Sequence, residues 1–184
     1  GVVIAIIILL VMGFSWYIGG YNRAIAFDEN VKSSWAQVEN QLQRRNDLIP
    51  NLVNTVKGFA EQEREIFTEV TRLRSQWSQA VSVGEKIEQA NAMTRALSRL
   101  LLVAENYPQL KSNENFLALQ SQLEGTENRI AVERMRYNQG VQLFNQFRRS
   151  FFGRFFTNAA GVTEPAVYFE ADETAKTTIP QVQF

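Results

Sequence analysis

The chain has 184 residues, 45% of them hydrophobic and 21% charged, with 19 basic side chains set against 19 acidic ones for a formal net charge of zero. That length holds one core and an anchor, and the charge balance leaves no basic surplus with which to expect nucleic acid as a partner. Cysteine and histidine are both absent, which excludes disulfides, thiol nucleophiles, imidazole bases and histidine-ligated zinc or iron. No G-x-x-x-x-G-K-[ST] phosphate loop occurs. Neither a catalytic residue set nor a cofactor is expected. Only 4 Pro and 10 Gly punctuate the sequence, which favours long helices.

Residues 1–20 read as a transmembrane anchor. The run Gly1 to Ile18 carries no charge and is mostly Val, Ile, Leu, Met and Phe, and about 20 apolar residues span a hydrocarbon core of ~30 Å. Trp16, Tyr17 and Tyr21 cluster at its end, where amphipathic rings prefer the headgroup level. The alternative is a cleaved secretory signal. Against it, the run exceeds a usual apolar signal core of ~7–15 residues, and no small-x-small cleavage site follows. Arg23, Lys32, Arg44 and Arg45 come after the run and no basic residue lies within it. The positive-inside bias then places the soluble part in the cytoplasm.

From Val31 onward apolar residues recur every three or four positions, at Trp35, Val38, Leu42, Ile49, Leu52, Val56 and Phe59, one face of a helix. Pro50 lies inside this run and predicts a local kink, not a stop. The first helix is expected to end near Gly58 and to be continuous with the anchor or hinged near Gly19 and Gly20. A second segment carries Ile66, Phe67, Val70, Leu73, Trp77 and Val81; its phase would also fit one long rod with the first. A third runs from about Glu85 to Glu105 and a fourth from about Asn113 to Ser150, the last ~57 Å long at 1.5 Å per residue. Length matching favours separate helices and predicts an all-α protein: an N-terminal transmembrane helix followed by an antiparallel up-and-down four-helix bundle over residues 21–153. The fourth segment holds an apolar row repeating every seven residues, Phe116, Leu123, Ile130, Tyr137, Phe144 and Phe151. Gly161, Pro165 and Pro180 mark residues 154–184 as an irregular tail, in which Val167, Tyr168, Phe169 and Val182 are candidates to pack in a groove while Asp172 to Thr178 looks solvated.

Several blocks resemble a known family. R-R-N-D-L-I-P-N-L-V (Arg44 to Val53) with V-K-G (Val56 to Gly58) is similar to the signature of the LemA family. So are E-N-Y-P-Q-L-K (Glu105 to Lys111), N-E-N-F-L (Asn113 to Leu117), G-T-E-N-R-I-A-V-E-R-M-R-Y-N (Gly125 to Asn138) and Y-F-E (Tyr168 to Glu170). The resemblance covers nearly the whole chain. It implies a bacterial inner-membrane protein with an antiparallel four-helix bundle and a small extracellular N-terminus, and it brings no enzymatic activity, substrate or cofactor. One departure stands at Ser150, Phe151 and Phe152, where the family commonly reads Ser-Phe-Pro. Without that Pro the last helix has the option to run on or to present an extra aromatic face.

Two groups of residues are site-like. Arg45, Asp47, Asn51, Glu127, Asn128, Arg134 and Asn138 form a polar set in which Arg45 interrupts the apolar stripe. It reads as a structural polar network that fixes helix register, with Glu127 as the expected partner of Arg45 and Asp47 as the local alternative. A functional pocket or recognition patch is the competing reading. A carboxylate metal site is disfavoured, because these acids lie beside Arg at helical spacing and no histidine completes a di-iron motif. The second group interleaves Phe151, Phe152, Phe155 and Phe156 with Arg148, Arg149 and Arg154, and suits a membrane surface, a neighbouring subunit or packing within the bundle. The leading expectation is a non-enzymatic membrane-tethered scaffold with membrane lipid, further copies of itself and an unidentified protein as partners. The alternatives are an adaptor or sensor regulating a membrane protease or signalling kinase, and an enzyme with a Lys or carboxylate site between helices.

Overall fold

A computed structural model describes residues 1–170, and among these the protein is all-helical. The elements are α1 (Val2–Lys57), α2 (Arg64–Gln79), α3 (Val83–Glu105), α4 (Pro108–Lys111), α5 (Glu114–Arg149) and α6 (Phe151–Ala159). The two apolar segments that could have formed one rod are separate helices, α1 and α2. Gly19 and Gly20 are no hinge, since α1 runs unbroken through both. The expectations for Val182 and for Asp172 to Thr178 fall outside the described residues.

Pro50 sits inside α1 without ending it. A proline there has no N–H to offer the carbonyl four residues earlier, which belongs to Asn46. That carbonyl accepts instead from Arg74 Nε at 3.2 Å. A side chain of α2 thus supplies the hydrogen bond that the proline withholds.

The chain divides into two compact units. One comprises Gly1–Val38 and Glu133–Tyr168; the other comprises Glu39–Val132 and the chain from Phe169. In the second unit one apolar core draws Ile49, Leu52 and Val56 from α1, and Phe67, Val70 and Leu73 from α2. Met93, Leu97 and Leu100 come from α3, Leu110 from α4, and Phe116 and Leu123 from α5. Local signals set the ends of these helices. Ser82 Oγ accepts from the Glu85 amide at 3.2 Å while Glu85 Oε2 accepts from the Ser82 amide at 3.1 Å, a reciprocal cap that opens α3. The Ser82 and Val81 amides hold the Glu85 carboxyl below its ordinary pKa. Pro108 occupies the first turn of α4, where its missing N–H costs nothing. Asn113 Oδ1 accepts from the Phe116 amide at 3.0 Å at the start of α5. Val81, counted with the apolar face of the second segment, is exposed, because α2 stops at Gln79 and Val81 belongs to the connection. Phe59 likewise lies past the end of α1 and is exposed, and Ala60 is buried there instead.

In the first unit the stretch from Val2 to Ile18 is exposed on every face, and α1 is long and apolar enough there to cross a membrane. Further along, Trp35 meets Tyr137 with ring centroids 5.3 Å apart, and Phe27 meets Phe147 at 5.2 Å. Gly140 lets the backbone of α5 approach Asn30, whose side chain lies 3.1 Å from where a Cβ would stand. The segment after α6 is pinned along α5. Asn145 donates to the Ala166 carbonyl at 2.9 Å and accepts from the Ala166 amide at 3.0 Å. Tyr137 Oη donates to the Val167 carbonyl at 2.7 Å, and Arg148 donates to the Thr163 carbonyl at 2.9 Å.

Residues 154–159, expected to be irregular, are helical. The long helix neither runs on nor ends in a coil: α5 stops at Arg149 and α6 restarts at Phe151. Ser150 takes extended backbone angles, and its Oγ accepts from the Gly153 amide at 3.1 Å. The corner requires Gly153, since a Cβ there would lie 1.8 Å from the Phe147 carbonyl oxygen. At the other end Val162 donates to the Thr157 carbonyl, Gly161 donates to the Asn158 carbonyl, and Gly161 adopts φ +72°. This is the paired closure that glycine permits at a helix C-terminus. The restart also breaks the apolar row of α5: Phe116, Leu123, Ile130, Tyr137 and Phe144 are buried, whereas Phe151 is 87% exposed.

Candidate functional site

Arg45 is the most deeply buried cation among the described residues, at 1% exposure. It lies on the apolar stripe of α1 because Leu42 and Ile49 flank it at helical spacing. Its guanidinium spreads over three acceptors. Nη1 donates to Glu127 Oε1 and to Thr94 Oγ1, each at 2.8 Å, and Nη2 donates to the Ala90 carbonyl at 3.0 Å. Thr94 in turn donates to the same Ala90 carbonyl at 3.1 Å. Helices α1, α3 and α5 are thereby tied at one level. The pair is asymmetric: the arginine is enclosed, while the Glu127 side chain keeps 40% exposure. Solvent therefore reaches the carboxylate and tempers the cost of burying the charge. An open groove of about 400 Å³ adjoins Glu127, with Leu97, Leu101 and Leu123 as its floor and Ser98, Glu124 and Asn128 on its walls.

Asp47, Asn51 and Asn128 do not join this cluster. Asp47 is exposed and accepts from Gln43 at 2.7 Å, so it is not the partner of Arg45. Asn51 and Asn128 are exposed. Arg134 and Asn138 are half-buried on α5, and each has a partner. Sequence reasoning missed Thr94, Asn46 and the Ala90 carbonyl. Asn46 could have been flagged, since it stands four residues after Leu42 and three before Ile49 and is buried at 3% exposure. Among the described residues its side-chain amide has no partner. A backbone carbonyl such as that of Ala90 leaves no mark in a sequence.

A second cluster is aromatic. Phe156 of α6 is buried against α1, with its ring 4.9 Å from that of Trp16 and 6.3 Å from that of Tyr17. Gly20 makes room for it: a Cβ at this position would lie 2.2 Å from the Phe156 ring. Phe152 meets Trp16 edge-on at 5.3 Å, and Phe155 meets Tyr17 at 6.1 Å. Such edge contacts suit the quadrupoles of the rings. Phe151, Phe152 and Phe155 nonetheless stay exposed, as do Arg149 and Arg154, while Arg148 is half-buried. Arg23 lies over the rings of Phe27 and Phe147, 5.6 and 5.9 Å from their centroids.

Among the described residues no three acidic side chains gather as metal ligands. The sequence matches the LemA family over residues 34–184. It is also similar to magnetosome proteins MamQ 1 and MamQ 2 of Paramagnetospirillum magneticum strain AMB-1, each 25% identical over 151 residues that make up 68% of this chain and 56% of the relative. MamQ of Magnetospirillum gryphiswaldense is 24% identical with the same coverage. The chain thus spans little more than half the length of these relatives.

Proposed function

The chain belongs to the LemA family, and we propose that it is a membrane-tethered helical scaffold that works through protein contacts and self-association, without catalysis of its own. Residues 2–18 of α1 cross the bilayer once. The helical segments beyond form an antiparallel four-helix bundle on the cytoplasmic side of a bacterial inner membrane. The observation that carries this reading is the stretch Val2–Ile18, apolar and exposed around its whole circumference and continuous, within one helix, with residues buried in a core. A helix apolar all round belongs in a protein core or in a membrane, and among the described residues no core covers this stretch. Arg23, Lys32 and Arg44 following the span support the cytoplasmic orientation.

The test is made in intact cells. With Ser78→Cys as the sole thiol, at an exposed position on α2, an impermeant maleimide is expected to leave the protein unlabelled until the cells are opened. Labelling of intact cells would reverse the orientation, and release of the protein by alkaline carbonate would remove the span. Self-association is tested by mass measurement in detergent: a species heavier than the monomer is expected, and a lone monomer would end that part of the proposal.

A further inference from the structure

We infer that α6 is a second membrane-contact element, an interfacial helix that lays Phe151, Phe152 and Phe155 on the lipid surface beside the end of the apolar run; this rests on the proposed span. At 100° per residue, Phe151, Phe152, Phe155 and Ala159 fall within one arc of about 100°. Phe156, Gly153 and Thr157 fill the adjoining side and are buried. The arc therefore is not the packing face of the helix. It is what remains after packing is complete, with Phe151 at 87%, Phe152 at 57% and Phe155 at 52% exposure. Each phenyl carries ~150–250 Å² of largely apolar surface, so leaving three of them in water is costly.

The position along α1 identifies what covers the arc. Trp16 and Tyr17 touch Phe152, Phe155 and Phe156, and Gly20 receives Phe156. The uncharged run closes with Trp16, Tyr17 and Tyr21, and Arg23 is the first charge after it, the rings and charge that mark the end of a span. The level of Trp16 to Gly20 is then the boundary between acyl chains and headgroups, and α6 is held there by its own packing. Its open arc continues the surface of the apolar run, so the solvent that covers one covers the other. Arg154 borders the arc on its outer side and Arg149 precedes it, both exposed, where guanidinium groups meet lipid phosphates. No acidic residue occurs in α6.

The chain has no native thiol, so single cysteines placed by Leu10→Cys, Phe151→Cys, Phe155→Cys and, as the solvent reference on α2, Ser78→Cys carry a nitroxide without background. Phe151 and Phe155 are both open, so these replacements spare the buried Phe156 contact. In the full chain, in vesicles of phosphatidylcholine with phosphatidylglycerol as the minority lipid, collisions with oxygen and with a water-soluble nickel chelate report immersion. Labels at 151 and 155 are expected to lose nickel collisions relative to 78 and to gain oxygen collisions, at a shallower depth than the label at 10. Nickel access at 151 and 155 equal to that at 78, with 10 still immersed, would overturn the role of α6 alone. A label at 10 that remains in water would overturn the span, and α6 with it. Spin–spin broadening at 151 or 155 that persists on dilution with lipid would show a second copy on the arc and overturn lipid as its occupant.

Discussion

Helix α1 carries two apolar stretches that meet opposite fates. From Val2 to Ile18 every face is apolar and every residue is exposed; from Val38 to Val56 apolar residues recur at helical spacing, and Val38, Leu42, Leu52 and Val56 are fully buried. The second stretch has a wet side and a dry side, so neighbouring helices can satisfy it while its polar residues stay in water. The first has no wet side. A helix apolar all round is either enclosed in a protein core or set in a bilayer, and among the described residues no core encloses this one. The difference lies less in how hydrophobic each stretch is than in how its hydrophobic residues are spaced around the helix.

The proposed lipid environment predicts the largest effect. Leu10→Arg sets a charge at the middle of the first stretch, where insertion costs about 2.5–3.5 kcal/mol per arginine. Pairing it with Ile6→Arg roughly doubles that cost and is expected to move the protein from the membrane fraction to the soluble fraction. The cooperative melt of the helical core should survive, because neither residue touches that core. A doubly substituted chain that stays with the membrane would mean that something other than this stretch holds it there.

In the second stretch a charge already exists and is accommodated. Glu127→Gln leaves the enclosed guanidinium without its counter-charge and is expected to cost about 3–5 kcal/mol, the range for breaking a buried pair. Arg45→Met should cost less, about 1–3 kcal/mol, since the carboxylate it leaves behind is 40% exposed and reaches water. The double variant should cost less than the sum, which thermal melts will read. Small, additive losses would mean that the charge and its partner act independently. Between the two stretches lies Gly20. Gly20→Val would drive a side chain into the Phe156 ring and is expected to destabilise the packing of α6 by about 1–3 kcal/mol. The measurement is hydrogen exchange, with protection lost in residues 151–159 and retained in α2 and α3.

Much of this was legible in the sequence because it depends on spacing. The apolar run, the stripe of α1 and the apolar faces of α2, α3 and α5 follow from residue spacing, while the separation of α2 from α1 rests on matching lengths and the Arg45–Glu127 pair on a charge in an apolar stripe that needs a partner. What escaped depends on single contacts. The α5–α6 corner hangs on Ser150 as a cap and on Gly153 lacking a Cβ, two small residues that no periodicity marks. Asp47, Asn51 and Asn128 stay exposed, apart from Arg45 and Glu127, because helical spacing places residues on a face without saying what stands opposite. Pro50 announces a free carbonyl at Asn46, but that Arg74 answers it is a matter of tertiary distance.

Tyr137 offers the smallest effect and the sharpest test of burial on the α5 side of the stripe. Its hydroxyl donates to the Val167 carbonyl and its ring packs on Trp35. Burial raises its pKa from 10.0 to about 12. A raised folded-state pKa means that the stabilisation is whole below the unfolded value and is lost as pH climbs through the folded one. The window is therefore about pH 10 to 12, with a slope of at most ~1.4 kcal/mol per pH unit. Near neutral pH Tyr137→Phe should cost about 1 kcal/mol, the net worth of one hydrogen bond whose acceptor is left behind. Above pH 10 the wild-type protein should lose stability faster than the variant, because only the wild type gains by ionising a phenol on unfolding. The two stability curves, measured by denaturant titration at each pH, are expected to converge and then cross. Parallel curves would show that the phenol is as free to ionise in the folded protein as in the unfolded chain. The ring would then face water, and the heptad-spaced row of α5 would lose one of its members.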